Sequence, residues 1–169
     1  TPTTSDLGFV IGPQLNAASR VDDSSLPSKL LISGDISEIE KISRKLILFN
    51  EKRKLIENNI FDEALIQVKK QATNKFIIVH GFGWHKGVLG IIASRLINQF
   101  YKPTIVISFD QTEGVGSARS INMIDLGSII LTAKKKGLLI NGGGHKMAAG
   151  LKIKKNLLDD FHTYLTQCF

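Results

Sequence analysis

The sequence has little cysteine and no long hydrophobic run, and each absence excludes a class of protein. The single cysteine among 169 residues, Cys168, lies next to the C-terminus, so neither a disulfide framework nor a four-thiolate zinc site can be built. No apolar stretch approaches the length of a membrane span, and the opening TPTTSDLG lacks the charged and apolar regions of a signal peptide. We therefore expect a reducing, cytoplasmic location without a membrane partner.

Common nucleotide-binding and metal-binding motifs are also missing. The segment GVGSAR has arginine where the third glycine of the dinucleotide fingerprint belongs, and no segment matches the P-loop pattern. His80 and His85 lie five residues apart without a carboxylate at ligand spacing, and His145 is distant in sequence. The sequence therefore shows no clustered Asp and His ligands of a metal-dependent hydrolase, and it predicts no metal ligand within the chain.

What the sequence does contain is positive charge. Lysine and arginine number 22 against 15 aspartate and glutamate, which gives a net charge of +7 and a pI near 9.6. Clustered cationic side chains gain affinity for nucleic acids by displacing counterions from phosphates. The composition favours a polyanionic partner, although lysine runs such as residues 134–136 are usually only solvated.

The pattern of apolar residues divides the chain into three parts. Residues 8–32 mix short apolar runs with glycine, proline and a DDSS turn signal, and they predict the irregular edge of a domain. Residues 33–73 carry an apolar stripe at three- and four-residue steps opposite a charged face, which predicts a helical connector that Asn58 and Asn59 could interrupt. Because heptads are not maintained, this helix is expected to join two lobes rather than to form a coiled coil.

Residues 74–169 alternate strand and helix patterns. Four strands are predicted from KFIIVHG, KPTIVISF, GVGSARS and MAAGLKI. Three helices are predicted from VLGIIASRLINQFY, MIDLGSIILTAKKKG and NLLDDFHTYLTQCF, the last capped by Asn156. The expected fold class is α/β, with a long connecting helix followed by a small α/β domain whose mixed central sheet is flanked by helices. Ligands are expected where loops leave the strand ends.

Three glycine-rich segments, read as loops, carry cationic side chains: HGFGWHKG, GVGSARS and NGGGHK. Glycine permits tight turns and close approach to a ligand, while the cationic side chains supply donors, so the segments predict a phosphate cradle. Arg119 is the best candidate for a bidentate phosphate contact, Ser117 and Ser120 can add hydroxyl donors, and Trp84 could stack on a base. The alternatives are a tight turn at NGGGHK, a surface salt bridge for Arg119 and core packing for Trp84.

The ordered set GPQLNAASR, LFNEKRKLIE, GWHKGVLGIIASRL, KPTIVIS, GSARS and GGGHKMAAG resembles the C-terminal half of the bacterial RecJ exonucleases, of the DHH phosphoesterase superfamily. The resemblance covers nearly the whole chain. It implies that residues 1–32 are the tail of a catalytic DHH lobe, that 33–73 are the connector and that 74–169 are the DHH-associated substrate-binding domain. The sequence starts without methionine and runs directly into these motifs, so we expect it to begin inside a longer protein.

The same resemblance implies a 5′→3′ exonuclease that hydrolyses single-stranded DNA, with DNA-repair and recombination proteins as further partners. Its cofactor would be Mn²⁺ or Mg²⁺, held by aspartates and histidines of a lobe upstream of this chain, so the fragment alone is expected to be inactive. His145 would be the catalytic residue, hydrogen-bonding the scissile phosphate and stabilising charge in the transition state. Arg20 would contact phosphate from an element in which Ser19 replaces the family's glycine. The predicted substrate-binding residues are Asn16, Arg20, Trp84, His85, Lys86, Ser117, Arg119, Ser120, Gly143, Gly144 and Lys146.

Two other functions remain open at this point. One is a phosphodiesterase of the same superfamily for short oligonucleotides or cyclic dinucleotides. The other is a non-catalytic nucleic-acid-binding module, such as the related domain of alanyl-tRNA synthetases. Preference for a long single strand over a dinucleotide would exclude the first, and a catalytic lobe in the parent protein would exclude the second.

Overall fold

The computed structural model describes residues 1–21, 24–71 and 74–169. Over these ranges the chain forms two compact units, Thr1–Asn58 and Asn59–Phe169. The predicted DDSS turn falls partly on residues 22–23, and the predicted end of the connector falls on residues 72–73, so both lie partly outside the described residues.

The first unit is helical. Two short helical segments, Thr4–Asp6 and Leu7–Ile11, lead into helix α1 (Gly12–Val21), which is followed by α2 (Leu26–Ile32) and the start of α3 (Ile36–Lys69). The expectation of irregular structure in residues 8–32 is therefore wrong. Helix is stabilised here because buried side chains of α1 and α2 pack with α3 in a small core: Ala17, Ala18, Leu26, Ile42, Leu46 and Phe49.

Helix α3 is continuous over its 34 residues. Asn58 and Asn59 do not interrupt it, although the boundary between the two compact units falls between them. An asparagine costs a helix about 0.7 kcal/mol or less relative to alanine. That cost is small beside the burial of the next apolar residues on the helix, which are Ile60, Phe61, Ala64 and Val68.

The second unit is built on a mixed sheet of five strands in the order β1-β2-β3-β5-β4. The strands are β1 (Ile77–Phe82), β2 (Thr104–Phe109), β3 (Glu113–Arg119), β4 (Asn141–His145) and β5 (Ala148–Lys154). Strands β1 and β2 are parallel, and every other neighbouring pair is antiparallel. The expected α/β fold class, with a long connecting helix and a mixed sheet flanked by helices, is confirmed.

Helices cover the two faces of this sheet unequally. Helix α4 (Leu89–Phe100) lies on one face against β2 and β3, and α5 (Leu126–Lys135) and α6 (Leu158–Cys168) lie on the other over the larger core. Asp125 caps α5 by accepting a hydrogen bond from Ser128 N. Asn156, the predicted cap of the last helix, instead lies in a separate turn of 3₁₀ helix (Lys155–Leu157) before α6.

The outer edge of β1 is closed by two glutamine side chains, one from α3 and one just after it. Gln71 Nε2 donates to Ile78 O at 2.7 Å, and Ile78 N donates to Gln71 Oε1 at 3.2 Å. Gln67 repeats the arrangement with His80, at 2.7 and 3.0 Å. Each amide therefore occupies the place of a neighbouring strand, which satisfies an edge that would otherwise invite pairing with another chain.

Candidate functional site

The segment NGGGH, expected to be a loop, is the edge strand β4, and GVGSAR lies in strand β3. Strand β5 lies between them and pairs with both, so the two glycine-rich segments are brought together through the sheet. The expectation of a loop is therefore wrong for both segments, whereas the prediction of a strand over GVGSARS is confirmed. Glycine has no side chain to give a strand its apolar alternation, and it is the pairing with β5 that holds these residues extended.

The register places several predicted residues on one face of the sheet. Arg119 pairs with Ala148, and Ala148 pairs with His145. Since directly paired residues point to the same side of an antiparallel sheet, Arg119 and His145 share a face on either side of a small alanine. Two residues further along each strand, three more residues point to that side. We call this surface the glycine face; it consists of Ser117, Arg119, Gly143, His145, Ala148 and Gly150.

The middle of the glycine face is bare backbone. A Cβ atom added to Gly143 or to Gly150 would meet no atom of the described residues within 4 Å. A groove of ≈ 400 Å³ lies beside them, lined by Asn141, Gly142, Gly143, Gly150, Leu151 and Lys152. Glycine inside a strand weakens the strand, and it is typical of places where a ligand approaches the backbone closely. These two glycines are not required by packing within the described chain.

The other two glycines of β4 serve packing. A Cβ on Gly144 would lie 2.3 Å from Ala148 O, and one on Gly142 would lie 2.7 Å from a methyl group of Ile130. Gly144 therefore permits the tight hairpin with β5, and Gly142 permits α5 to approach the sheet. The predicted substrate-binding Gly144 has a structural reason of its own, which Gly143 does not have.

Arg119 folds back along β3 rather than extending into solvent. Its Nη1 donates to Ala118 O at 3.0 Å and to Ser117 Oγ at 3.3 Å. Its Nη2 lies beside Gly90 in the first turn of α4, where an added Cβ would be only 2.9 Å away. Within residues 1–21, 24–71 and 74–169 no carboxylate forms a salt bridge with this guanidinium, so the surface salt bridge considered for it does not form. The remaining N–H groups can donate to a phosphate.

His145 combines a fixed backbone with an exposed side chain. Its carbonyl group packs against α5, since a Cβ on Gly127 would lie 3.0 Å from both the carbon and the oxygen. The following carbonyl, of Lys146, accepts a hydrogen bond from Leu126 N at 3.1 Å. The side chains of His145 and Lys146 are exposed. The imidazole is therefore held at the end of the glycine face and can reach a ligand lying on it.

Trp84 lies in the core. The residue is only 5% exposed, and a Cβ on Gly81 would lie 2.0 Å from the indole, so the glycine makes room for the ring. Its Nε1 donates to Glu63 Oε2 at 2.8 Å, and its carbonyl accepts from Ser108 Oγ at 2.5 Å. This corrects the prediction that Trp84 offers a face to a base; the alternative of core packing is the one the structure shows.

The loop that carries Trp84 leaves the sheet at the end away from His145. Phe82, the last residue of β1, pairs with Phe109, whereas Arg119 pairs with Thr104 at the opposite end of β2. In this loop His85 Nδ1 accepts from Gly87 N, and Lys86 forms an exposed salt bridge with Asp110 at 3.1 Å. The three segments therefore do not form one cradle, although α4, which starts after this loop, contacts Arg119 through Gly90. Gly90 lies within the GWHKGVLG segment. The spacing of residues along the sequence does not indicate that it contacts Arg119.

The other predicted binding residues lie off the glycine face. Ser120 is buried, and its Oγ donates to Ile124 O at 2.9 Å and to Ile121 O at 3.2 Å, so it shapes the turn after β3. Asn16 and Arg20 belong to α1 in the first unit, where Asn16 is exposed and Arg20 is half-buried. Ser19 takes ordinary helical geometry there, with its hydroxyl donating to Asn16 O at 3.0 Å.

The described ranges contain no group of three or more His, Cys, Asp or Glu side chains that could hold a metal ion. The residues present therefore do not fit a divalent metal centre. Among the helices of those ranges, none combines the length and the apolar character needed to span a bilayer.

Residues 73–169 match the DHHA1 domain model. This segment contains the five-stranded mixed sheet and its glycine face. The chain therefore belongs to the DHHA1 domain family. Over nearly its whole length it is also similar to particular exonucleases. The single-stranded-DNA-specific exonuclease RecJ of Haemophilus influenzae is 37% identical over 98% of this chain and 30% of that protein. RecJ of Bacillus subtilis is 34% identical over 95% of this chain and 21% of that protein.

Solved structures agree with the sequence matches. The crystal structure of RecJ in complex with Mn²⁺ from Thermus thermophilus superposes with a TM-score of 0.88, at 29% identity, over 99% of this chain and 24% of that chain. A crystal structure of exonuclease RecJ bound to manganese gives a TM-score of 0.84 at 28% identity, over 98% of this chain and 41% of that one. The resemblance to RecJ is confirmed, and the chain spans less than half the length of each of these relatives.

Proposed function

We propose that this chain is the C-terminal, substrate-binding part of a RecJ-like exonuclease that hydrolyses phosphodiester bonds of single-stranded DNA from the 5′ end. The observation that carries the proposal is the glycine face, a stretch of accessible backbone with Arg119 and His145 at one end. The similarity to proteins named as single-stranded-DNA-specific exonucleases supports it, as does the net charge of +7. The direction of hydrolysis rests on the resemblance alone.

The glycine face suits a sugar-phosphate backbone better than a compact ligand. Because Gly143 and Gly150 have no side chains, an extended single strand of DNA can lie directly on β4 and β5. Arg119 then offers a planar pair of donors to one phosphate, and Ser117 Oγ lies within 3.3 Å of that guanidinium. Phosphate contacts of this kind position the strand without reading its sequence.

We expect His145 to act on the reacting phosphate. An imidazole N–H that donates to a non-bridging oxygen stabilises the charge that grows there as the phosphodiester is attacked. Divalent metal, expected as Mn²⁺ or Mg²⁺, has no fitting ligands among the described residues, and its ligands are expected in a lobe upstream of this chain. We expect the fragment alone to bind DNA without hydrolysing it. The whole enzyme is expected to act in the cytoplasm with DNA-repair and recombination proteins.

The test is His145→Ala in the complete protein. Losing one transition-state donor costs on the order of a hundredfold in rate, so cleavage should fall by about that factor while binding of the single strand stays within about twofold. His145→Gln, which keeps an N–H donor, should recover part of the rate. A cleavage rate for His145→Ala within about twofold of wild type would refute the role. Faster cleavage of a dinucleotide than of a long single strand would favour the short-substrate phosphodiesterase instead.

A further inference from the structure

The turn that follows β3 contains a methionine with a left-handed backbone conformation and high exposure. Ile124 N donates to Ile121 O at 3.4 Å, which closes a four-residue turn with Met123 as its third residue. Met123 has φ +81°, in the left-handed region where this position of a turn favours glycine or asparagine. The residue is 92% exposed, the highest value among the exposed large apolar residues of the described chain. Backbone strain and an exposed apolar side chain thus coincide at one residue.

The turn is fastened to the end of the glycine face. Ser120 N donates to Met147 O at 2.9 Å, and Ser120 Oγ donates to both Ile121 O and Ile124 O. Met147 is itself 43% exposed and lies in the turn between β4 and β5, directly after His145 and Lys146. Ser120 therefore joins the Met123 turn to the segment that carries His145. Met123 is held near one end of the glycine face rather than on a free loop.

Packing within the described chain does not account for this side chain, since nearly all of its surface is exposed. A thioether is polarisable and makes favourable contacts with flat aromatic rings. A single strand whose phosphates lie on Arg119 and His145 must place its bases somewhere beside them, and each base offers a ring face. The thioether at the tip of the turn is therefore suited to contact the ring face of an unpaired nucleobase.

We propose that Met123 contacts a nucleobase of the bound single strand at the His145 end of the glycine face, and that Ser120 is the positioning residue for its turn. This inference rests on the proposed function. It adds a base contact to a surface whose other contacts are to phosphate, and a base contact discriminates a single strand, whose bases are exposed, from a duplex, whose bases are stacked and paired.

The test is Met123→Gly, with binding followed by fluorescence anisotropy of a labelled single strand. Glycine relieves the strain at φ +81°, so the midpoint of thermal unfolding should stay the same or rise. Removing the thioether should weaken binding about two- to tenfold, and the slope of affinity against salt should not change because no phosphate contact is lost. Phe82→Ala is the control, since Phe82 is 74% exposed at the opposite end of the sheet and should leave binding unchanged.

Abasic sites identify the group that is contacted. On a strand in which the bases are replaced one at a time by abasic sites, the defect of Met123→Gly should disappear at one position. A defect that is equal on abasic and ordinary strands at every position would overturn the base contact. Wild-type affinity of Met123→Gly, while Arg119→Ala binds more weakly, would refute this inference and leave the proposed function intact. Absence of single-strand binding by the wild-type chain would overturn both.

Discussion

Replacing Gly143 or Gly150 by alanine separates what the fold needs from what a ligand needs. Both glycines lie on the glycine face, and an added Cβ would meet no atom of the described residues within 4 Å. Neither has a left-handed φ, so alanine fits the backbone without strain. The substitutions therefore add a methyl group to the binding surface and leave the packing of the domain as it is.

The expected effect on stability is small and favourable. Glycine in a strand is about 0.5–1 kcal/mol less favourable than alanine, because it loses more conformational freedom on folding. A gain of that size raises the midpoint of thermal unfolding by a few degrees, about 2–8 °C per kcal/mol for domains of this size range. Differential scanning calorimetry of the chain measures this shift directly.

The expected effect on function is the opposite. A methyl group on the face holds the strand away from β4 and β5 by an ångström or more, and a displacement of that size can cost on the order of a hundredfold in rate. We expect cleavage by the complete protein to fall by about that factor, and binding of the single strand to weaken. The matched control is Gly144→Ala, whose Cβ would lie 2.3 Å from Ala148 O, so it should lower the unfolding temperature.

Two results would refute this reasoning. If Gly143→Ala and Gly150→Ala bound and cleaved the single strand as the wild type does, the bare backbone would not be where the strand lies. If the two variants instead unfolded at lower temperature, as Gly144→Ala should, Gly143 and Gly150 would be required for packing. Their lack of side chains would then not indicate a ligand-binding surface.

Two further predictions concern single side chains. Arg119→Ala should weaken binding and reduce the slope of log affinity against log salt by about one phosphate contact. Lys135→Ala, at an exposed position of α5, is the control and should change this slope less. An unchanged slope for Arg119→Ala would show that this residue does not contact the DNA. Desolvation, and secondly the charge of Lys155, lower the pKa of His80 from 6.5, against an opposing effect of Asp159. Because His80 binds a proton more readily in the unfolded chain than in the folded one, the free energy of unfolding should fall as pH drops below about 6.5. In urea unfolding, His80→Gln should lack this contribution to the pH dependence. A pKa of His80 at or above 6.5 by NMR would contradict this.

Much of the fold could be predicted because its elements carry apolar periodicity. Strands β1 and β2 and helix α4 have continuous or helical apolar patterns, and the structure places them where the patterns predict. Strand β4 could not be predicted in this way, because NGGGH has no apolar side chain to alternate. Its extended state depends on pairing with β5 and on the approach of α5 at Gly127, which are contacts that the pattern of single residues does not encode.

The candidate site could be predicted only in part, because its geometry depends on strand register. The resemblance to RecJ pointed to Arg119 and His145, and the register shows that they share a face, which no spacing in the sequence indicates. Trp84 was misplaced because its glycine neighbours suggested an open loop, whereas Gly81 makes room for the indole in the core. Met123 was missed because its signal is a left-handed φ and high exposure, and a methionine in a sequence shows neither.

The central claim is that this chain carries part of a path for single-stranded DNA, and fluorescence anisotropy tests it most directly. The chain would be titrated against a labelled, 5′-phosphorylated single strand and against the matching duplex across a salt series. The account predicts tighter binding of the single strand, with affinity that falls as salt rises. Absence of binding at low salt, or equal affinity for the two forms, would contradict it.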